Sequence, residues 1–122
     1  MSWSKALFLS SVALFFSSTA FAEKVNCPAF VKDSNKTYPM NLIDVFVGPP
    51  EERASLLPDT DEEMTWTLKD SQDYARAHNT SIFLVCRYKG TNKKATVKVP
   101  KTAQKCSGWY GYSKDEFYAA CE

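Results

Sequence analysis

The stretch Ser81–Cys106, SIFLVCRYKGTNKKATVKVPKTAQKC, decides the fold class. Ile82, Leu84, Cys86 and Tyr88 alternate with Phe83, Val85, Arg87 and Lys89. Beyond Gly90-Thr91-Asn92, Ala95, Val97 and Val99 alternate with Lys94, Thr96 and Lys98. Period-two alternation on both sides of a turn signal marks an antiparallel hairpin. For the apolar sets to share one face, even positions of the first strand must oppose odd positions of the second, which an even loop achieves. The expected pairs are Tyr88 with Ala95, Cys86 with Val97 and Leu84 with Val99. The same register sets Lys89 against Lys94, beside Lys93, with Arg87 and Lys98 further along. Phe83 and Val85 make the base of the outer face apolar, so the base is expected to be covered and the cationic tip to project.

Outward from this hairpin the chain reads as mainly β, a small antiparallel sheet or sandwich with a disulfide-stapled hairpin and short helices. Asn41–Val47 is apolar on both faces, as a central covered strand is. Met64, Trp66 and Leu68 alternate with Thr65 and Thr67, a further strand. Val25–Val31 carries Pro28 and suits an edge, and Asp33-Ser34-Asn35-Lys36 is a turn cluster. Pro50 followed by Glu51 and Glu52 predicts a short helix that Pro58 stops, with Ala54 and Leu57 turned inward. Asp70–His78 fits either a helical turn or an extended loop. Ser113 with Glu116 three residues later has capping-box form and predicts a terminal helix presenting Phe117, Ala120 and Cys121 on one face.

The first 22 residues read as a secretory signal peptide: Lys5, an apolar run from Ala6 to Phe16, and Ala20-Phe21-Ala22 as a cleavage pattern. The run is short for the about 20 residues that span a bilayer. A single domain over residues 23–122 and a periplasmic location are therefore expected. All four cysteines, Cys27, Cys86, Cys106 and Cys121, lie in that part. An even count in a small exported chain predicts two disulfides. Of the three connectivities, the expected one is Cys86–Cys106 across the hairpin and Cys27–Cys121 between the ends. No pair has zinc-ligand spacing and His78 is the only histidine, so no metal and no cofactor are expected.

Without Lys5 the basic and acidic side chains balance, so net charge excludes little, but its distribution is uneven. Asp44–Asp73 carries nine acidic residues against Arg53 and Lys69, and Tyr74–Lys114 carries nine basic residues and no acidic one. The halves either pair within the fold or steer a charged partner. Like charges facing across the hairpin destabilise. The lysines either protect a sheet edge, answer an acidic partner, or pair with the chain's own Asp59-Thr60-Asp61-Glu62-Glu63 loop. The candidate partner-binding residues are Asp59, Asp61, Glu62, Glu63, Arg87, Lys89, Lys93 and Lys94, with Trp109, Tyr110 and Tyr112. The aromatic segment serves equally as interface anchor or as core. No nucleophile stands beside a base, and none of the carboxylates is marked as buried, so no catalytic residue and no enzymatic activity are expected. A neutral exported domain is not expected to bind nucleic acid.

Several motifs in order resemble a known family. They are Cys27-Pro28, Gly48–Glu52, Ala54–Asp59, Trp66, Leu84–Thr91 as Leu-x-Cys-Arg-Tyr-x-Gly-Thr, and Pro100–Cys106. Together they are similar to a family of small exported proteins of Gram-negative bacteria, often found in interbacterial-competition gene neighbourhoods. The resemblance implies a periplasmic, disulfide-stabilised β domain and supplies no catalytic residues. Ser71–Asn79 and Ser107–Glu122 depart from the pattern, so it lends no support to Cys27–Cys121. The expected function is binding without catalysis: an inhibitor or immunity protein with a protein partner, a toxic effector such as a cell-wall hydrolase. A small-ligand carrier is the alternative, with a closed apolar pocket lined by Phe46, Trp66 or Trp109. A peptidoglycan-active enzyme using a carboxylate of Asp59–Glu63 is the third reading.

Overall fold

A computed structural model of the chain describes residues 23–60 and 62–122. The expected signal segment and Asp61 lie outside the described residues. Among the described residues the strands are β1 Val25–Asn26, β2 Phe30–Asp33, β3 Lys36–Val47, β4 Thr65–Thr67, β5 Ile82–Tyr88, β6 Lys94–Val99, β7 Lys105–Tyr110 and β8 Phe117–Cys121, with one α-helix, α1, Lys69–Ala77. They form two antiparallel four-stranded sheets, ordered β1-β8-β7-β4 and β2-β3-β5-β6. The fold is mostly β, as the alternation predicts. A single cluster drawn from both sheets fills the core, including Met40, Ile43, Val45, Leu84, Val99, Trp66, Phe117 and Ala119.

The chain changes sheet twice, and both crossings determine what the cysteines can reach. After β1 it passes through Cys27 and Pro28 into β2. Cys27 still hydrogen-bonds Ala119 of β8 through its amide (3.1 Å), while the Pro28 carbonyl accepts the buried Tyr88 hydroxyl (2.7 Å). After β6, Pro100–Gln104 carries the chain back to the first sheet. Gln72 of α1, itself buried, holds this crossing by donating to the carbonyls of Pro100 and Ala103 (2.9 Å each).

These crossings overturn the expected disulfides. The bridges are Cys27–Cys86 and Cys106–Cys121. Cys86 does face the core on β5, but Cys106 is carried to the other sheet, where it lies opposite Cys121 in the β7–β8 register. Cys86 instead meets Cys27 where the chain passes between layers. The first bridge thus links the two sheets and the second staples β7 to β8. The β5–β6 hairpin carries no staple of its own.

The β5–β6 hairpin forms with the apolar faces matched, but two residues away from the expected register. Leu84 pairs with Val97, Cys86 with Ala95 and Arg87 with Lys94. Parity settles which face is buried, and a two-residue slip preserves parity, so alternation could not distinguish the two. Lys89 accordingly lies beyond the ladder, exposed, and does not face Lys94.

Two expected helices are absent. Pro50–Glu52 is a single 3-10 turn that ends at Arg53, in the left-handed region (φ 59°). From there the chain returns to extended geometry and pairs with β3: the Val47 amide donates to Ala54 and the Leu56 amide to Val45 (3.1 and 2.8 Å). Leu56 packs against the core while Leu57 is exposed, the reverse of the helical expectation. The terminal helix is strand β8. Its capping-box residues do bond, the Ser113 amide to Glu116 Oε1 (3.2 Å) and the Glu116 amide to Ser113 O (3.1 Å), but these bonds close a hairpin turn.

The Asp33–Lys36 turn is a two-residue hairpin loop with both Ser34 and Asn35 at positive φ (54° and 69°), the geometry that matches strand twist. β3 is a central strand as expected, flanked by β2 and β5, but only one of its faces is covered: Ile43 and Val45 are buried and Leu42 is exposed. The ambiguous segment before the hairpin is α1, which buries Ala75 and Gln72.

Candidate functional site

Two hairpins carry most of the candidate residues, and they sit on different sheets. The β5–β6 tip does not project. Thr91 Oγ1 donates to Asp33 (2.6 Å) and Lys93 Nζ to the Lys32 carbonyl (2.9 Å), which ties the tip to the β2–β3 turn. Gly90, at φ 94°, lies against the Tyr38 ring, where a Cβ would sit 3.1 Å from it. Arg87 and Lys94 face each other as like charges, and Asp44 on β3 offsets them with a 2.5 Å bond to Arg87 Nε. A shallow groove of about 680 Å³ runs over this face, lined by Phe46, Arg53, Val85, Arg87, Lys94 and Thr96 among others.

The β7–β8 hairpin is built differently. Its base, Lys105–Ser107 with Ala120–Cys121, is flanked by β4 and β1. Past Gly108, whose amide donates to Met64 O (2.8 Å), and Ala119, paired with Cys27, neither strand has a β-ladder neighbour outside the hairpin. Trp109 pairs with Tyr118 and Tyr110 with Phe117, their rings 6.1 and 5.1 Å apart. Phe117 is buried and anchors the hairpin: its ring fills the space beside Gly108, together with Ile43 of the other sheet. Around it Trp109, Tyr110, Tyr112 and Tyr118 are all exposed, Tyr112 fully. An open depression of about 550 Å³ is bounded by Tyr110, Gly111, Tyr112, Ser113 and Lys114.

Of the acidic loop, Glu62 and Glu63 are exposed. Because Met64 is held beside Gly108, this loop leaves the sheet on the flank of the aromatic hairpin. Asp59 is committed to the fold. Its carboxylate accepts the Thr67 hydroxyl (2.6 Å) and amide (3.0 Å), and these bonds hold its pKa below the usual carboxylate range. A general acid needs the opposite shift. Among the described residues, no ion pair joins Glu62, Glu63 or Asp59 to Arg87, Lys89, Lys93 or Lys94.

The structure therefore brings Trp109, Tyr110 and Tyr112 together, with Glu62 and Glu63 alongside, and keeps Arg87, Lys93 and Lys94 on the other sheet. It adds Tyr118, which the sequence reading missed by placing it on a helix; pairing Trp109 with an alternating Phe117-Tyr118-Ala119 was the available signal. The three residues expected to line a ligand pocket do not share one. Trp66 is in the core with its indole N–H on Leu56 O (3.0 Å), Phe46 lies by the groove over the second sheet and Trp109 is on the hairpin. Among the described residues no helix is long and apolar enough to cross a membrane.

A family model described as "Type VI secretion system Tli immunity protein" matches residues 33–122. No curated protein and no solved structure matches the chain.

Proposed function

The chain belongs to the Type VI secretion system Tli immunity protein family, and from that premise we propose that it protects its own cell by binding and blocking a toxic effector, without chemistry of its own. The observation that carries this reading is the family match, which runs through both sheets and both hairpins. Two disulfides among four cysteines favour an oxidising compartment, and with the signal-like leader they support work in the periplasm. An immunity protein stationed there meets effectors whose substrates are parts of the envelope. A cell-wall hydrolase is the effector class to test first.

The binding surface we propose is the aromatic hairpin with the adjoining Glu62–Glu63 loop. Interfaces draw most of their affinity from a few aromatic anchors surrounded by a polar rim. The hairpin supplies four exposed rings, and the loop supplies charge beside them. The test is co-expression with a candidate effector routed to the periplasm. Growth should be restored by the exported protein and not by a leaderless form. An effector that kills equally with and without it, and leaves no complex on co-purification, excludes that effector; failure across every type VI effector of the producing strain overturns the reading.

A further inference from the structure

The distal β7–β8 hairpin is both exposed and pre-formed, two properties that seldom coincide in a two-stranded projection. An isolated hairpin is marginal in water. Here the disulfide Cys106–Cys121 closes the base. Phe117, in the last ladder pair before the turn, pins the strands to the core. The turn is held by four short-range bonds: Gly111 N–H to Glu116 O (2.7 Å), Glu116 N–H to Ser113 O (3.1 Å), Ser113 N–H to Glu116 Oε1 (3.2 Å) and Asp115 N–H to Ser113 Oγ (3.3 Å). The Tyr118 hydroxyl donates to the other oxygen of Glu116 (3.3 Å). All this ordering leaves Tyr110 and Tyr112 facing solvent at the most distant point from the flanking strands. Tyr110 keeps one side of its ring on Phe117, whereas Tyr112 is fully exposed and contributes nothing to the core, yet the turn bonds order the backbone that carries both.

We infer that this hairpin is an inhibitory wedge: a tip that runs past its flanking strands, led by Tyr110 and Tyr112, enters the substrate site of the effector and occupies it. The inference rests on the immunity reading above and adds how the block works. A rigid tip forfeits little conformational entropy on docking, which is where pre-organisation yields affinity. Tyrosine suits such a site because it offers a large apolar ring and a hydroxyl on only two rotatable bonds. The flanking Glu62 and Glu63 specify the rest of the partner. Its cleft has an apolar floor and a basic rim on the side that meets the loop. The cationic groove over the second sheet lies outside this contact.

The experiment uses the full mature protein and the effector that passes the co-expression test. Tyr110→Ala and Tyr112→Ala are compared with wild type and with Lys94→Ala, reading the dissociation constant, effector turnover against substrate concentration, and melting temperature. Each tyrosine variant should raise the dissociation constant about 30-fold, the scale of an interface anchor, and Tyr112→Ala should do so at unchanged melting temperature. Lys94→Ala should stay within about twofold. Wild-type inhibition should be competitive with substrate. Tyrosine variants that bind as wild type, or inhibition that substrate cannot relieve, overturn the wedge while leaving immunity standing. Because Tyr112 is fully exposed, its variant reports on binding even if Tyr110→Ala proves unstable. A wild-type protein that binds no effector at all defeats the immunity reading and the wedge with it.

Discussion

The two hairpins make opposite use of their tips. β5–β6 has a strongly cationic tip that is tied down, by Thr91 to Asp33 and by Lys93 to the Lys32 carbonyl. β7–β8 has an aromatic tip whose turn, beyond the Phe117 anchor, is tied only to itself. The cationic tip was expected to project and is instead docked, whereas the rings, which suited interface or core equally, are exposed. The difference lies in what each tip finds beside it. β5 is interior to its sheet, so its turn emerges next to the β2–β3 turn, whose carbonyls and Asp33 can satisfy it. The β7–β8 tip outruns both of its flanking strands and finds no surface to cover its rings. A tip's composition does not tell whether it docks; the length of its neighbours does.

The bridges separate the hairpins most strongly. Cys27–Cys86 closes a span of 59 residues and Cys106–Cys121 one of 15, so the chain-entropy account assigns them about 4 and about 3 kcal/mol. Replacing each pair by alanine should lower urea-unfolding stability by those amounts, in that order. The binding consequence should run the other way. Loss of Cys27–Cys86 should leave the affinity of the folded molecules for effector unchanged, whereas loss of Cys106–Cys121 frees the base of the wedge and should weaken it. Equal loss of affinity in both would mean that the hairpin owes its shape to the whole core and not to its own staple.

Gly108 is the next most sensitive point. A Cβ there would lie 2.7 Å from the Phe117 ring and 3.2 Å from Ile43, and Phe117 is buried. Gly108→Ala should cost about 2 kcal/mol, as overpacking does, and should show as a lowered melting temperature. On the docked hairpin, Thr91→Val removes the bond to Asp33 and one from the Lys93 amide (3.1 Å). A hydrogen bond to a charged group sets the scale at about 1.5 kcal/mol. Effector affinity should not change, since that tip lies outside the proposed contact.

Much of the fold could be read from the sequence because burial is written in alternation. Leu84, Cys86, Val97 and Val99 face the core as their parity requires, and Trp66 and Leu68 are buried as their strand predicts. Register, disulfide partners and β8 could not be read in the same way. Register depends on loop length, and two loops of the same parity bury the same face. The cysteine pairing depends on two sheet crossings, at Cys27–Pro28 and Pro100–Gln104, that no local pattern announces. The Ser113–Glu116 signal was real as chemistry, and the pairing of Phe117–Cys121 with β7 decided what it would close. Of the candidate site, Trp109, Tyr110 and Tyr112 were visible as residues. Their exposure follows from how short β1 and β4 are, which is a property of their neighbours.

The smallest expected effect concerns Asp59, whose carboxylate is bonded to Thr67 of β4, on the wedge's sheet, outside the proposed contact. Thr67 stabilises its ionised form, first through the side-chain hydroxyl and then through the amide, and so lowers its pKa in the folded state. With the folded value below the unfolded one, the group stabilises the fold at pH above its ordinary value. That contribution is lost as the pH falls from about 4 through the folded value. Asp59→Asn should therefore flatten the acid limb of the melting-temperature profile below about pH 4 relative to wild type and leave the neutral limb nearly parallel. The carboxylate is solvent-exposed, so the difference should be small. Effector affinity at neutral pH should stay within about twofold of wild type, whereas Glu62→Gln with Glu63→Gln should slow association and blunt its salt dependence. If Asp59→Asn instead weakened binding as much as the paired glutamine variant, the contact would reach down the edge of β4, and the partner would embrace the flank of the hairpin as well as its tip.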